Sequence, residues 1–287
     1  MSFVEAEIAS QPELWRRAAA LGPSVAFALP GRGARVAVVG CGTSLYMARA
    51  WAALRESAGA GETDAFPASE FPSARSYDHV VAITRSGTTT EIVRLVSALT
   101  CPTTVVTADA SLPAGAAATH AVDLPFADEK SVVQTRFATT ALALLRASLG
   151  SSLDAAAADA LAELDRPVTG LDRRQFTFLG TGWTVGLAEE AALKVREAAQ
   201  AWAESYPAME YRHGPISIAD PSTAVWIFGD APDGLLDDVA CTGAEIVTAA
   251  IDPMALLVRA QRLAVALAVQ RGLDPDAPRN LTRSIVL

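Results

Sequence analysis

The sequence predicts an α/β fold of two tandem lobes, each a mostly parallel sheet flanked by helices as an αβα sandwich. Three observations lead there. First, short β-branched runs, "RVAVVG" (35–40), "HVVAIT" (79–84) and "TTVVT" (103–107), alternate with segments whose apolar residues recur by threes and fours. Second, that alternation is the pattern of βα units, which build parallel sheets covered on both faces. Third, the pattern restarts. "QFTFLGTGWT" (175–184) repeats "RVAVVGCGTS" (35–44), placing Gly180 and Gly182 where Gly40 and Gly42 stand. An internal duplication follows.

Taken in order, residues 1–23 form an N-terminal helical segment, 24–150 the first lobe and 170–287 the second. In the first lobe the "RVAVVG" strand leads into a helix, "SLYMARAWAALRE", and "AVDLP" (121–125) supplies a further strand. "TTTEIVRLVSAL" and "TRFATTALALLRASL" are helical. An Ala-rich helix at 154–166 precedes the linker "PVTGLDRR". The second lobe continues with a helix over about 184–203, strands "AVWIF" (224–228) and "AEIVTA" (244–249), and a helix over about 253–271. A final strand is expected at Ser284–Leu287.

Composition narrows the function. Apolar residues make up 51%, enough for a sizeable core, and the formal net charge is -9. Nucleic acid is a poor partner for such a chain, because phosphate neutralisation needs basic stripes. The three cysteines, Cys41, Cys101 and Cys241, are dispersed and imply neither disulfides nor a zinc site. With no apolar run of membrane-spanning length and an acidic N-terminus, a cytoplasmic protein is expected, without metal or other cofactor.

Four segments can carry chemistry. "GCGTS" (40–44) and "TRSGTTTE" (84–91) both sit between a strand and a helix. There, glycine lets backbone N–H groups approach an anion, and hydroxyls add donors. A helix cap needs one hydroxyl, whereas the second turn has five, which suits a phosphate. Neither is a dinucleotide or Walker loop. "EEAALKVREAAQAWAE" (189–204) carries an apolar line, Leu187, Ala191, Val195, Ala198 and Trp202. Its neighbouring line, Glu190, Lys194 and Glu197, reads by itself as a solvated salt-bridged stripe. His213, in "YRHGP", is a loop histidine and thus a better acid–base candidate than His79, which opens a strand.

Together "GCGTS", "RSGTT", "EEAALKVREAAQAWAESYPAMEYRHGP" and "RNLTRS" resemble the SIS (sugar isomerase) family. The similarity is greatest to the isomerase half of glutamine–fructose-6-phosphate amidotransferase and to stand-alone amino-sugar phosphate isomerase/deaminases. The resemblance implies a hexose 6-phosphate whose phosphate rests on Ser44, Thr84, Ser86 and Thr89, with Arg85 where the amidotransferase has glutamine. It places Gly42, Thr43, Val132 and Gln134 along the sugar. Glu197 is implied to move the C1–C2 proton. His213, from the neighbouring subunit of a homodimer, is implied to open the ring. Thr282 and Arg283 belong to the tail laid over the sugar.

Two departures bear on the reaction. Residue 2 is serine where the family's glutaminase half has its cysteine nucleophile, so no glutamine amidotransfer is expected. Arg283 stands where the synthase has its Schiff-base lysine, and a guanidinium stays protonated. Proton chemistry remains. The expected function is isomerisation or deamination of a hexosamine 6-phosphate, followed by dehydration of an N-acetylhexosamine 6-phosphate, then non-catalytic sensing. A DNA-binding sensor is disfavoured, because only about thirty residues precede the first strand.

Overall fold

The computed structural model describes residues 2–287. Ser2 caps the first helix, α1 (Phe3–Val25), in a reciprocal capping box with Glu5. The first lobe follows as β1 (Val36–Gly40), α2 (Thr43–Ser57), β2 (Thr63–Pro67), β3 (His79–Thr84), α3 (Thr90–Ala98), β4 (Thr103–Thr107), α4 (Pro113–Ala117), β5 (His120–Asp123) and α5 (Arg136–Ala147). After α6 (Asp154–Asp165) the second comprises β6 (Gln175–Gly180), α7 (Thr184–Ala199), β7 (Trp202–Pro207), β8 (Thr223–Phe228), α8 (Leu235–Cys241), β9 (Glu245–Val247) and α9 (Pro253–Gln270).

Every strand pairing is parallel. The sheets run β2-β1-β3-β4-β5 and β7-β6-β8-β9, so the second repeats the order of the first with one strand fewer. In each, chain direction across the sheet reverses beside the strand that ends in Gly-x-Gly. Open α/β sheets bind ligands at that switch point. The duplication extends to backbone detail: Gly42 and Gly182 take φ of 55° and 57°, a left-handed turn that glycine adopts without strain.

Between the sheets lies one continuous apolar core, to which α1, α2, α5, α7 and α9 all contribute. Trp15 and Trp51 are fully buried there, and each indole N–H is satisfied. Trp15 donates to Thr139 Oγ1 at 3.0 Å and Trp51 to the Leu145 carbonyl at 3.1 Å. The lobes meet closely where α2 crosses α7. A Cβ on Gly186 would stand 2.4 Å from the Tyr46 carbonyl oxygen, so only glycine permits this approach.

The structure departs from the sequence reading at several places, among them the short helices α4 and α8 that it did not assign and the strand expected over 244–249, which spans Glu245–Val247. Residues 284–287 form no strand; they lie beside the N-terminus of α3, where Thr90 N donates to the Ile285 carbonyl at 3.1 Å. The helix expected to 203 stops at Ala199, because Gln200 adopts a left-handed φ of 49°. Trp202 therefore leaves the apolar line of α7 and stands 72% exposed on the edge strand β7. Finally, β2 and β7 are strands that the reading did not assign. Both are edge strands carrying polar residues, which hydropathy does not mark.

Candidate active site

The hydroxyl-rich turns converge at the first lobe's switch point. β1 delivers Gly42, Thr43 and Ser44 at the start of α2, while β3 delivers Thr84 to Thr89 at the start of α3. Neither helix has a side-chain cap on its N-terminus. Between the turns is a cavity of about 30 Å3, whose polar lining is Ser44, Thr84, Ser86 and Thr89 with Arg85, Gln134 and Arg283, and whose remaining wall is Cys41, Ile83 and Ile92. Ser86 and Thr89 share a hydrogen bond at 3.2 Å. The buried Gln134 Oε1 has no partner among the described residues. Helix N-termini and convergent hydroxyls make this cavity suited to an anion.

The second lobe's counterpart is built differently. Thr184, at the start of α7, spends its hydroxyl on the Phe228 carbonyl at 2.7 Å. Asp230 follows β8 there and lines the neighbouring cavity. A carboxylate in that position repels anions, so the duplicated turn is less suited to an anion in the second lobe than in the first.

The α7 stripe corrects the solvated reading. Glu190 and Lys194 side chains are each 1% exposed, and only Glu197, at 19%, reaches solvent. Crossing α2 at Gly186 buries this face. Lys194 Nζ donates to Glu197 and to Thr43 Oγ1, the latter at 3.0 Å, and lies 3.4 Å from Glu190 Oε1. One ammonium thus serves two carboxylates. Burial pushes the Glu190 carboxyl up to about 8, against the opposing pull of Lys194 and with the push of Glu197. Burial alone would lower Lys194, but Glu190 and Glu197 outweigh it and hold its pKa above the ordinary value. At neutral pH Glu190 therefore keeps its proton and Lys194 keeps its charge.

Arg85 is buried rather than extended toward solvent. Its guanidinium donates to the carbonyls of Ser131 at 3.1 Å and Arg283 at 2.8 Å, and sits 3.8 Å from Glu129 Oε2. Glu129, fully buried, accepts from Thr135 N at 2.6 Å and Arg136 N at 2.8 Å, which fixes the 128–136 segment that carries Val132 and Gln134. Burial raises the Glu129 pKa, with Arg85 opposing. Arg283 packs its own guanidinium on the Glu129 carbonyl and Asp128. Thr282 is exposed and hydrogen-bonds within the tail, to the Ser284 carbonyl at 3.0 Å.

His213 is not part of this assembly within one chain. It lies exposed in a short 3-10 turn (Glu210–His213) beyond β7, and no hydrogen bond among the described residues engages its ring. Sequence reasoning placed Glu190 and Lys194 on a solvated stripe and did not single out Glu129, whereas the structure buries all three. For the first two a signal existed: Ala188, Ala191, Ala192, Ala198 and Ala199 surround the stripe, and a helix apolar on most sides is buried.

These features define a two-lobed α/β fold, each lobe a parallel sheet flanked by helices. The chain's sequence relatives are the isomerase domains of glutamine–fructose-6-phosphate aminotransferases. The Aeropyrum pernix enzyme is 34% identical over 38% of this chain and 22% of its own length; that of Bacteroides thetaiotaomicron is 30% identical over 45% and 25%. The match therefore spans about a quarter or less of those longer proteins. Among solved structures, glucosamine-6-phosphate deaminase from Thermotoga maritima superposes with a TM-score of 0.86 at 22% identity, covering 100% of both chains. Tagatose-6-phosphate ketose/aldose isomerase from Escherichia coli gives 0.82 at 20% identity, covering 98% of this chain and 97% of that one. No family model matches the sequence. Among the described residues no helix is long and apolar enough to cross a membrane.

Proposed function

We propose that this chain acts on a hexosamine 6-phosphate of the glucosamine 6-phosphate type. It removes the C2 proton and completes an aldose–ketose isomerisation or a deamination, without amide transfer from glutamine. One observation carries the reading: the buried Glu190–Lys194–Glu197 array of one lobe is hydrogen-bonded to Thr43, beside the hydroxyl cradle of the other. A sugar whose phosphate fills the cradle would extend its reacting end along Gly42 and Thr43 toward Glu197.

In this scheme Ser44, Thr84, Ser86 and Thr89 hold the phosphate, and Val132 and Gln134 line the sugar. Glu197, the partly exposed carboxylate of the trio, takes the C2 proton from the open-chain aldehyde, and the electrons move to form an enaminol. Lys194, which lies beside the buried Glu190 and donates to Glu197, holds that carboxylate in place for the transfer. Returning a proton to C1 gives the 2-imino ketose; water adds at C2 and ammonia leaves. With a 2-hydroxyl instead of an amine, the same steps end at the ketose. Arg283 steadies the tail over the site, and His213 of a second subunit opens the ring in a cytoplasmic homodimer.

Support for the absence of a lysine Schiff base comes from the inventory. The sequence has two lysines, Lys130 and Lys194. Lys130 extends over the Phe3 ring, 5.1 Å from its centroid, and Lys194 is held protonated. A protonated amine is not a nucleophile.

The test is product analysis by mass spectrometry and NMR on a panel of hexose, hexosamine and N-acetylhexosamine 6-phosphates. Ammonia release or an aldose–ketose change from a hexosamine or hexose 6-phosphate supports the proposal. Loss of water from an N-acetylhexosamine 6-phosphate alone, or binding without any product, overturns it in favour of a dehydratase or a sensor respectively.

A further inference from the structure

Arg85 occupies the phosphate turn, yet its donors reach away along the chain. Nη2 holds the Arg283 carbonyl at 2.8 Å, Nη1 holds the Ser131 carbonyl at 3.1 Å, and Nε, also buried, has no partner among the described residues. Three further contacts tie the same turn to the same tail. Thr88 Oγ1 and Ser284 Oγ lie 3.1 Å apart, Thr90 N donates to the Ile285 carbonyl at 3.1 Å, and Leu287 N donates to Thr90 Oγ1 at 2.9 Å. Ser86 and Thr89, which alternate with these tail-binding residues, line the cavity. Ser86 and Thr89 thus face the cradle, Thr88 and Thr90 grip the C-terminus, and Arg85 does both.

We infer that Arg85 is a positioning residue that couples filling of the phosphate cradle to placement of the C-terminal tail, and through the tail to placement of Arg283. The coupling rests on the phosphosugar reading above, whereas the clamp itself does not. Arg85 also lines the cradle, so an anion there attracts the guanidinium and steadies a group already bound to the tail. A planar fork is needed, because one group must reach two carbonyls in different segments while remaining beside Glu129; an ammonium on a flexible stem does not hold all three. The tail residue it grips lies 198 positions away in sequence, so this link ties two distant segments into one site.

Limited trypsin digestion of the full-length chain, followed by mass spectrometry, tests both parts. Cleavage after Arg283 releases Ser284–Leu287, and cleavage after the exposed Arg279 serves as the internal reference. The substitutions are Arg85→Ala and Arg85→Lys. The second keeps a cation beside the buried Glu129, so it folds even if the alanine variant does not. Without ligand, cleavage after Arg283 relative to Arg279 is expected to be at least about tenfold faster in both variants, as the held carbonyl is released. Glucosamine 6-phosphate is expected to slow that cleavage in the parent and leave it unchanged in the variants. Parent-like cleavage in a folded variant overturns the clamp. Equal protection of parent and variants overturns the coupling. If calorimetry shows that the parent binds no glucosamine 6-phosphate, the phosphosugar reading fails and the coupling with it, while the ligand-free digestion still decides the clamp.

Discussion

Lys194 of the second lobe donates to Thr43 of the first, Nζ to Oγ1 at 3.0 Å. The bond joins the two halves of the molecule where the hydroxyl-rich turns of one lobe adjoin the carboxylate pair of the other. It also fixes the ammonium between Glu190 and Glu197. The proposed chemistry thus depends on lobe–lobe packing as much as on any single side chain.

Glu197→Gln should remove solvent deuterium incorporation at C2 of glucosamine 6-phosphate. Loss of a general base costs about a hundredfold to ten-thousandfold in rate. Binding of the phosphate should survive, since the cradle lies on other elements. NMR of the exchanging C2 proton, with calorimetry for binding, reads both. Exchange at the parent rate in the variant would mean another group takes the proton.

Glu190 gives the fold a pH dependence of defined sign. Its carboxyl titrates at about 8 when folded, against a usual 4.5. Between those values the unfolded chain has lost this proton while the folded chain keeps it. Stability from this group is therefore complete below about pH 4.5 and declines as pH rises toward 8, by about 1.4 kcal/mol per pH unit. Glu190→Gln, an isostere of the protonated acid, should fold and should flatten that decline. Urea midpoints at several pH values from about 5 to about 8 compare the two. Parallel curves for parent and variant would show that Glu190 is ionised in the folded protein.

What was legible in the sequence was local. The cradle could be read because Gly-x-Gly, Ser44 and the hydroxyls of 84–90 lie in two short turns at strand ends, where position along the chain equals position in space. The burial of Glu190 and Lys194 could not be read with the same ease, because it arises from α2 crossing α7 at Gly186, a contact between residues about 140 positions apart. Arg85 has the same character: nothing near it in sequence announces that its partner is Arg283. The expected strand at 284–287 failed for a related reason. Its β-branched residues favour extended chain, but the tail pairs with the start of a helix instead of a sheet edge.

Removing cradle hydroxyls should act on the phosphate specifically. Ser86→Ala and Thr89→Ala each delete a donor, and hydrogen bonds to charged groups are worth about 1.5–3 kcal/mol, or roughly tenfold to more than a hundredfold in affinity. Their mutual hydrogen bond at 3.2 Å means that the two losses will not add simply. Calorimetry with glucosamine 6-phosphate should show the weakening. A variant that binds as tightly as the parent would remove that residue from the phosphate site.

Borohydride trapping addresses the tail. In the parent, reduction in the presence of fructose 6-phosphate should leave no covalent sugar adduct by mass spectrometry. Arg283 cannot form an imine, and Glu190 and Glu197 keep Lys194 protonated. The substitution Arg283→Lys puts an amine where the Glu129 carbonyl and Asp128 now hold a guanidinium. That environment favours the charged form, because a carboxylate and a carbonyl both stabilise an ammonium. The variant should therefore trap weakly at neutral pH and more strongly as pH rises and the ammonium deprotonates. Peptide mapping assigns the adduct. An adduct on Lys194 in the parent would restore a Schiff-base route through α7. Efficient trapping at position 283 of the variant at neutral pH would show that Asp128 does not hold the ammonium.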